Sequence, residues 1–191
     1  MILPIITYGY SVLRKTSSEV PGPSMELDSF IQNMWDSMDA AEGVGLAAPQ
    51  VNRPLNLFIV NSKLVYDEIS VAKRAAKFEG DEGIIETFIN AKIIAKSDTS
   101  WSDYEGCLSI PGISERVERP WEIIIEYQDR HFTTHKKRFS GYTAKVIQHE
   151  YDHIKGVLFI DHLSSLKKKL LNGKLKKIQT KKLKTKSRST F

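Results

Sequence analysis

Apolar residues recur with helical spacing between residues 25 and 41. They fall at i, i+3, i+4, i+7, i+8 and i+11, which places them on one face of an α-helix. Ser24 is suited to cap the amino terminus of this helix, and Gly43 closes it. The apolar face consists of Leu27, Phe30, Ile31, Met34, Trp35 and Met38. The pattern therefore predicts an amphipathic helix near the amino terminus.

Three later segments have the composition of β-strands. Residues 56–61 form a short apolar run, and residues 86–95 and 121–127 are rich in β-branched and aromatic side chains. The polar residues 128–130 predict a turn, so residues 131–139 are expected to return as the hairpin partner of the preceding strand.

A second helix is predicted over residues 142–155, between Gly141 and Gly156. Strands followed by one buried helix indicate an α+β fold rather than a βαβ alternation. We expect small antiparallel or mixed sheets packed around this central helix, with the amphipathic helix at the amino-terminal end. The charged residues 63–83 are interpreted as an exposed insertion or a short helix.

Composition limits the class of protein. The 191 residues amount to about one domain, and 41% hydrophobic residues suffice for a core. No apolar run approaches the roughly 18 residues of a membrane span, and the amino terminus lacks the features of a signal peptide. One cysteine cannot form a disulfide framework and fits a reducing compartment. We therefore expect a cytoplasmic protein without a membrane segment.

Charge is divided unevenly along the chain. Residues 162–191 contain eleven Lys and Arg and no Asp or Glu, whereas residues 1–161 carry a net charge of −6. A basic block of this kind often binds nucleic acid or another polyanion. The alternative is a solvated, partly helical end that only aids solubility.

The most specific motif is His149-Glu150-Tyr151-Asp152-His153, an H-E-x-x-H sequence within the predicted central helix. Residues at i and i+4 share a helix face, so two imidazoles can bind one divalent ion while the glutamate reaches a water bound to it. Two unrelated helix histidines are the alternative. A metal site would need a third protein ligand and an open position.

Several residues could supply the third ligand. No glutamate follows the motif, so a distant glutamate ligand of the thermolysin type is excluded. The metzincin extension H-x-x-G-x-x-H begins with His153 and Gly156, but Phe159 occupies the position of its last histidine. Asp161 and His162 remain downstream. Upstream, the lone Cys107 could complete a thiolate and two-imidazole set, or it could be a buried small hydrophobe.

Three segments together resemble a known family. GVGLAAPQ (43–50), EGCLS (105–109) and QHEYDH (148–153) resemble, in this order, the signature motifs of peptide deformylase. The similarity extends from about residue 2 to residue 163. The resemblance implies a catalytic domain over residues 1–163, built around a central metal-binding helix, and a basic, partly helical tail over residues 164–191.

The resemblance also implies an activity. The family is a group of metallohydrolases that remove the N-formyl group from the formylmethionine of newly synthesised polypeptides and release formate. The reaction is attack by a metal hydroxide with a glutamate as general base. One divalent ion is implied, with Fe²⁺ as the native metal and Zn²⁺, Ni²⁺ or Co²⁺ as other possible occupants. The expected partners are N-formylmethionyl nascent polypeptides and, through the basic tail, the ribosome.

Roles for individual residues follow from the same resemblance. The implied metal ligands are Cys107, His149 and His153. Glu150 is the implied general base. The Gln50 side chain and the Leu108 backbone N–H are the implied donors of hydrogen bonds to the oxyanion. The segment expected to pair with the peptide backbone is Gly43, Val44, Gly45 and Leu46. Val44, Tyr142 and Val146 are expected walls of an apolar methionine pocket, although they would serve equally as core.

Two other functions use some of the same residues. A zincin-type endopeptidase would share the H-E-x-x-H helix but needs a downstream third ligand. A protein without catalytic activity could use a structural metal and its basic tail to bind RNA, although structural sites usually have four protein ligands.

Overall fold

The computed structural model describes the backbone of residues 1–188 and the side chains of residues 1–180. The helices are α1 (Met25–Ala40), α2 (Ser62–Glu68), α3 (Val71–Phe78), α4 (Gly141–Ile154) and α5 (Ser165–Arg188). The strands are β1 (Gly45–Ala47), β2 (Leu57–Asn61), β3 (Ile85–Lys96), β4 (Ser100–Gly106), β5 (Ser114–Pro120), β6 (Glu122–Gln128) and β7 (Thr134–Ser140). The fold is α+β, as predicted.

Five strands form one antiparallel sheet in the order β1-β2-β3-β6-β7. Its core face carries Phe58 and Phe88 on neighbouring strands, with their rings stacked 4.7 Å apart. Helix α4 packs on this sheet through Ala144 and Ile147, which are fully buried in the same cluster. The predicted central helix and the β6–β7 hairpin are therefore both present.

Helix α1 begins where the sequence predicts. The Ser24 hydroxyl accepts a hydrogen bond from Leu27 N–H (3.1 Å), which satisfies one unpaired amide of the first turn. Its apolar face is buried in a second cluster with Leu46 and Ile59 of the large sheet. This packing fixes the residues that follow α1, including the glycine-rich segment before β1.

A separate two-stranded sheet, β4–β5, is absent from the sequence expectation. The two strands pair from Ser100 with Pro120 to Gly106 with Ser114. Most of their residues are polar and only one or two side chains per strand are buried, so no period-two apolar pattern marks them. The loop that joins them begins at Cys107.

The charged insertion consists of two short helices, α2 and α3. The expected short helix is thus present as two helices, but residues 63–83 are not exposed throughout, because Phe78 is 1% exposed; Ser62, directly before them, is fully buried. These two residues attach the segment to the protein body, while most of its charged side chains remain at the surface.

Helix α5 begins the basic tail and is partly docked. Leu171 and Leu175 are buried in a third cluster with Leu13 and Phe159, and Ile178 packs against that cluster. The helix continues through Arg188, so more of the basic tail is helical than the partly helical tail that was expected. Among the described residues, no helix is long and apolar enough to cross a membrane.

Candidate metal centre and active-site cleft

Three side chains converge at one end of α4. The ligand atoms of Cys107, His149 and His153 all lie within 4.8 Å of one another, and Cys107 Sγ is 3.2 Å from His153 Nε2. The imidazoles stand on successive turns of α4, and the cysteine follows β4. This spacing suits one tetrahedral ion, because metal–sulfur and metal–nitrogen bonds are about 2.3 Å and 2.1 Å long.

The downstream candidates for a third ligand are engaged elsewhere. The Asp161 carboxylate pairs with the Arg14 guanidinium, and it also accepts a hydrogen bond from Leu158 N–H (2.8 Å). His162 Nε2 is 2.7 Å from Asp152 Oδ2. Neither side chain joins the three-residue group.

A buried ion pair supports the first imidazole. Glu105 Oε2 lies 2.8 Å from His149 Nδ1, so Nε2 would be the atom available to a metal ion. Arg119 donates to both Glu105 oxygens (2.8 and 3.0 Å) and to Asp152 Oδ2 (2.6 Å). Burial opposes ionisation of Glu105, but the hydrogen bonds from His149 and Arg119 hold its pKa well below the ordinary value. The sequence assigned no role to Arg119, since a charged residue in a polar strand carries no distinctive signal.

The pKa values of the two imidazoles shift in opposite directions. Burial lowers the pKa of His153 well below its ordinary value, which keeps the ring neutral and its lone pair available. Burial also disfavours a charged His149, but hydrogen bonds with Cys107 and Glu105 raise its pKa well above the ordinary value.

Glu150 is buried beside the candidate ligands. Its Oε2 atom has no hydrogen-bond partner among the described residues, and burial raises its pKa to about 7. Gly45 makes room for this side chain, because a Cβ atom there would lie 2.5 Å from Glu150 Oε1. An unpartnered, buried carboxylate oxygen next to a donor set fits a site that holds a water molecule on an ion.

Gln50 is fixed on the opposite side of the same site. Its Oε1 accepts from Ala47 N–H (2.7 Å), and Nε2 donates to Ser109 Oγ (3.3 Å) and towards Cys107 Sγ (3.6 Å). Leu108, directly after Cys107, lines the same cleft. The predicted donor groups are therefore grouped around the candidate ligands.

A cleft of about 480 Å³ opens onto this group. Gly43, Val44, Gly45, Tyr142 and Val146 line it, as does Lys145. The Leu46 side chain is instead fully buried in the second cluster, so only its backbone is available near the cleft. The sequence analysis missed Lys145, although its position three residues after Tyr142 and four before His149 places it on the same helix face.

Strand β1 borders the cleft as an edge strand. Within residues 1–188 it pairs with β2 alone, and Asn61 N–H donates to the Val44 carbonyl (2.8 Å). Backbone groups alternate in direction along an antiparallel strand, so those of Gly45 point away from β2. An extended peptide in the cleft could therefore add to this edge.

Comparisons with known proteins agree with this geometry. The sequence model for polypeptide deformylase matches residues 2–169. The peptide deformylase of Christiangramia forsetii is 44% identical over 191 residues, which is 100% of this chain and 96% of that protein. A crystal structure of an Arabidopsis thaliana peptide deformylase superposes with a TM-score of 0.81 at 29% identity, covering 97% of this chain and 93% of that one.

A third relative was crystallised with a peptide. The peptide deformylase of Acinetobacter baumannii, solved bound to Met-Ala-Ser, has a TM-score of 0.74 at 26% identity and covers 85% of this chain and 99% of that one. Sequence and fold both agree with these relatives over most of the chain. The chain belongs to the polypeptide deformylase family, the metallohydrolases that remove the N-formyl group from nascent polypeptides.

Proposed function

We propose that Cys107, His149 and His153 hold the catalytic metal of this deformylase. The observation that carries the proposal is the convergence of their three donor atoms within 4.8 Å. One cysteine and two histidine ligands would leave a fourth position open, as catalytic sites require. Ferrous iron is proposed as the native metal, and Zn²⁺, Ni²⁺ or Co²⁺ suit the same donors.

Glu150 is proposed as the general base. A divalent ion in this site lowers the pKa of bound water and so supplies hydroxide near neutral pH. Glu150 takes the proton of the attacking water on its unpartnered Oε2 and passes it to the departing amine. Burial suits the carboxylate to this exchange, because it raises the pKa of Glu150 to about 7 and so eases both uptake and release of the proton.

Gln50 and Leu108 are proposed as donors to the oxyanion that forms on the formyl carbon. The Gln50 amide is already oriented, since its Oε1 is tied to Ala47 N–H and only Nε2 faces the cysteine. The Leu108 N–H follows Cys107 in the chain and supplies the second donor. Donors fixed before the reaction need no reorganisation as charge develops.

The substrate is proposed to lie along the free edge of β1. Gly43, Val44, Gly45 and Leu46 contribute backbone groups there, while Val44, Tyr142 and Val146 enclose the methionine side chain. The Acinetobacter baumannii relative supports a substrate of this chemical class, because Met-Ala-Ser is the product expected from a formylated tripeptide. Lys145 completes the lining of the cleft beside Tyr142.

Two variants test the proposed site. Cys107→Ser should lose most of its metal and nearly all formate release from formyl-Met-Ala-Ser, because a hydroxyl is a poorer anionic ligand than a thiolate. Glu150→Ala should keep its metal and lose several orders of magnitude in kcat. Full metal occupancy in folded Cys107→Ser, measured by elemental analysis, would contradict the ligand assignment. Cleavage of an internal peptide bond, assayed in parallel, would instead favour an endopeptidase.

The basic tail is proposed to bring the enzyme to the ribosome in the cytoplasm. Residues 1–161 carry a net charge of −6 and would be repelled by ribosomal phosphate, whereas the tail carries eleven positive charges. Residues 1–163 are proposed as the catalytic domain and residues 164–191 as the tail. Because Leu171 and Leu175 are buried in the body, the tail should be tested by charge removal rather than by deletion.

Ribosome co-sedimentation tests the tail. Lys169, Lys174 and Lys177 are exposed on α5, so replacing all three with Gln should leave the fold and tripeptide turnover unchanged. Co-sedimentation should weaken in this variant and fall steeply with added salt for the unmodified protein. Equal co-sedimentation of both proteins at low salt would show that the tail is no anchor.

A further inference from the structure

Helices α2 and α3 are attached to the first turn of α4, the turn that carries Tyr142. Ser62 Oγ, at the start of α2, is 2.9 Å from Thr143 Oγ1 in a buried hydrogen bond. The Lys77 carbonyl approaches Gly141 so closely that a Cβ atom there would lie 2.2 Å from its oxygen. The segment is thus fixed to the helix that supplies the imidazoles and one wall of the cleft.

Phe78 supports Tyr142 from the side away from the cleft. Its ring is 1% exposed, with its centroid 5.4 Å from that of Tyr142 and 5.2 Å from that of Tyr66. Tyr142 lines the cleft, whereas Phe78 does not. Removal of the Phe78 ring would therefore open space directly behind a wall of the cleft.

A bridge of ion pairs, in which Lys77 and Lys145 both contact Asp103, also packs against Tyr142. Asp103 Oδ2 accepts from Lys77 Nζ (2.8 Å) and lies 3.3 Å from Lys145 Nζ, which also donates to the Tyr104 carbonyl (2.5 Å). Both ammonium groups lie over the Tyr142 ring, 5.6 and 5.3 Å from its centroid. Burial opposes ionisation of Asp103, but the hydrogen bond from Lys77 and the charge of Lys145 lower its pKa.

We propose that Lys77 and Phe78 are positioning residues that set the substrate preference of this deformylase by fixing Tyr142. The inference rests on the proposed assignment of the pocket beside Tyr142 to the side chain of the first substrate residue. A difference of one methylene in an apolar pocket is worth about 10–200-fold in discrimination. A modest shift of this wall therefore changes which side chains the pocket accepts.

The test compares two substrates across variants of α3. We would measure kcat and KM for formyl-Met-Ala-Ser and formyl-Phe-Ala-Ser in Phe78→Ala and Lys77→Met. Selectivity for methionine, as the ratio of kcat/KM values, should fall about threefold or more, with a higher KM for the methionine substrate and a kcat within about twofold. Lys77→Arg should retain the pair with Asp103 and the original ratio.

A matched control lies on the same helix. Lys73 is exposed one turn before Lys77, and among the described residues the ion pairs of Asp103 are with Lys77 and Lys145, so Lys73→Met should leave both KM and selectivity unchanged. Metal content is measured in every variant to separate this effect from loss of the ion. If Phe78→Ala does not fold, Lys77→Met decides, because its ammonium is partly exposed at the surface.

Two outcomes would overturn the inference in distinguishable ways. If Tyr142→Ala changes the methionine preference but Lys77→Met and Phe78→Ala do not, the pocket assignment stands and the role of α3 is refuted. If Tyr142→Ala also leaves the preference unchanged, the pocket assignment itself is wrong and the inference fails with it. An equal rise in KM for both substrates would likewise refute a role in specificity.

Discussion

Replacing Gly45 with alanine tests how closely the backbone confines the Glu150 carboxylate. A Cβ atom at residue 45 would lie 2.5 Å from Glu150 Oε1, 2.8 Å from its Cγ and 2.9 Å from its Cδ. Gly45 lies in strand β1 and has no left-handed backbone conformation, so alanine is compatible with its dihedral angles. The added methyl group therefore acts through this one contact.

The size of the effect follows from the distances. Ordinary van der Waals contact begins at 3.4 Å, so the Glu150 carboxylate must move by about 0.9 Å. A misplacement of about 1 Å at a reacting group can cost about 10²-fold in rate, which corresponds to about 2.7 kcal/mol in activation free energy. Stability should change less, because the displaced atoms form the end of a flexible side chain.

The assay is formate release from formyl-Met-Ala-Ser, with metal content measured on the same samples. We expect Gly45→Ala to keep its metal and to lose about 10²-fold in kcat. Gly22→Ala is the matched control, since no atom lies within 4 Å of a Cβ at that residue. A folded, metal-loaded Gly45→Ala with unchanged kcat would refute the view that Glu150 must occupy this position.

Three further predictions concern groups around the cleft. Gln50→Ala should keep its metal and lose about 10²–10³-fold in kcat, the usual range for one oxyanion donor; normal turnover would remove Gln50 from the mechanism. Arg119→Met would leave the buried Glu105 carboxylate without its ion-pair partner. Metal binding, measured by chelator competition, should weaken about 10–100-fold. The free energy of unfolding, measured in urea, should fall by about 3–5 kcal/mol. Unchanged metal affinity and unfolding free energy would show that the Arg119–Glu105 pair supports neither the metal site nor the fold. The pKa of Asp103 is lower in the folded state, so its ion pairs stabilise the fold above about pH 4 and this contribution is lost as the pH falls further. Asp103→Asn should therefore reduce the fall in Tm on acidification, and an identical fall would contradict the prediction.

Regular patterns made two helices and every strand of the large sheet except β1 predictable. The apolar spacing of α1 and the strand composition of β2, β3 and β6 each reflect burial of one or both faces, which sequence records directly. The H-E-x-x-H spacing predicts two imidazoles on one face of α4, and the structure has them there, with Cys107 Sγ 3.2 Å from His153 Nε2. The ligand set itself stays a proposal until metal binding is measured.

Other features depend on contacts between distant segments. Phe78 ends a strongly charged helix, so nothing in its neighbours indicates that it is buried against Tyr142. Lys145 is 4% exposed, a position that a lysine occupies only because Asp103 and the Tyr104 carbonyl accept its hydrogen atoms. Such partners are brought together by the fold, and local sequence carries no record of them.

The proposed metal site lies between the small β4–β5 sheet and helix α4, which packs on the large sheet. Cys107 follows the small β4–β5 sheet, whereas His149 and His153 belong to the helix packed on the large sheet, and the two sheets share no strand. A bound ion would therefore link these two parts of the fold, in parallel with the Arg119–Asp152 ion pair and the Glu105–His149 contact, which also connect the small sheet to α4. Chelation should let amide hydrogens of the small hairpin exchange faster while those of β2 and β3 stay protected. An ion that activates water would thus also stabilise the attachment of the small hairpin to the rest of the protein.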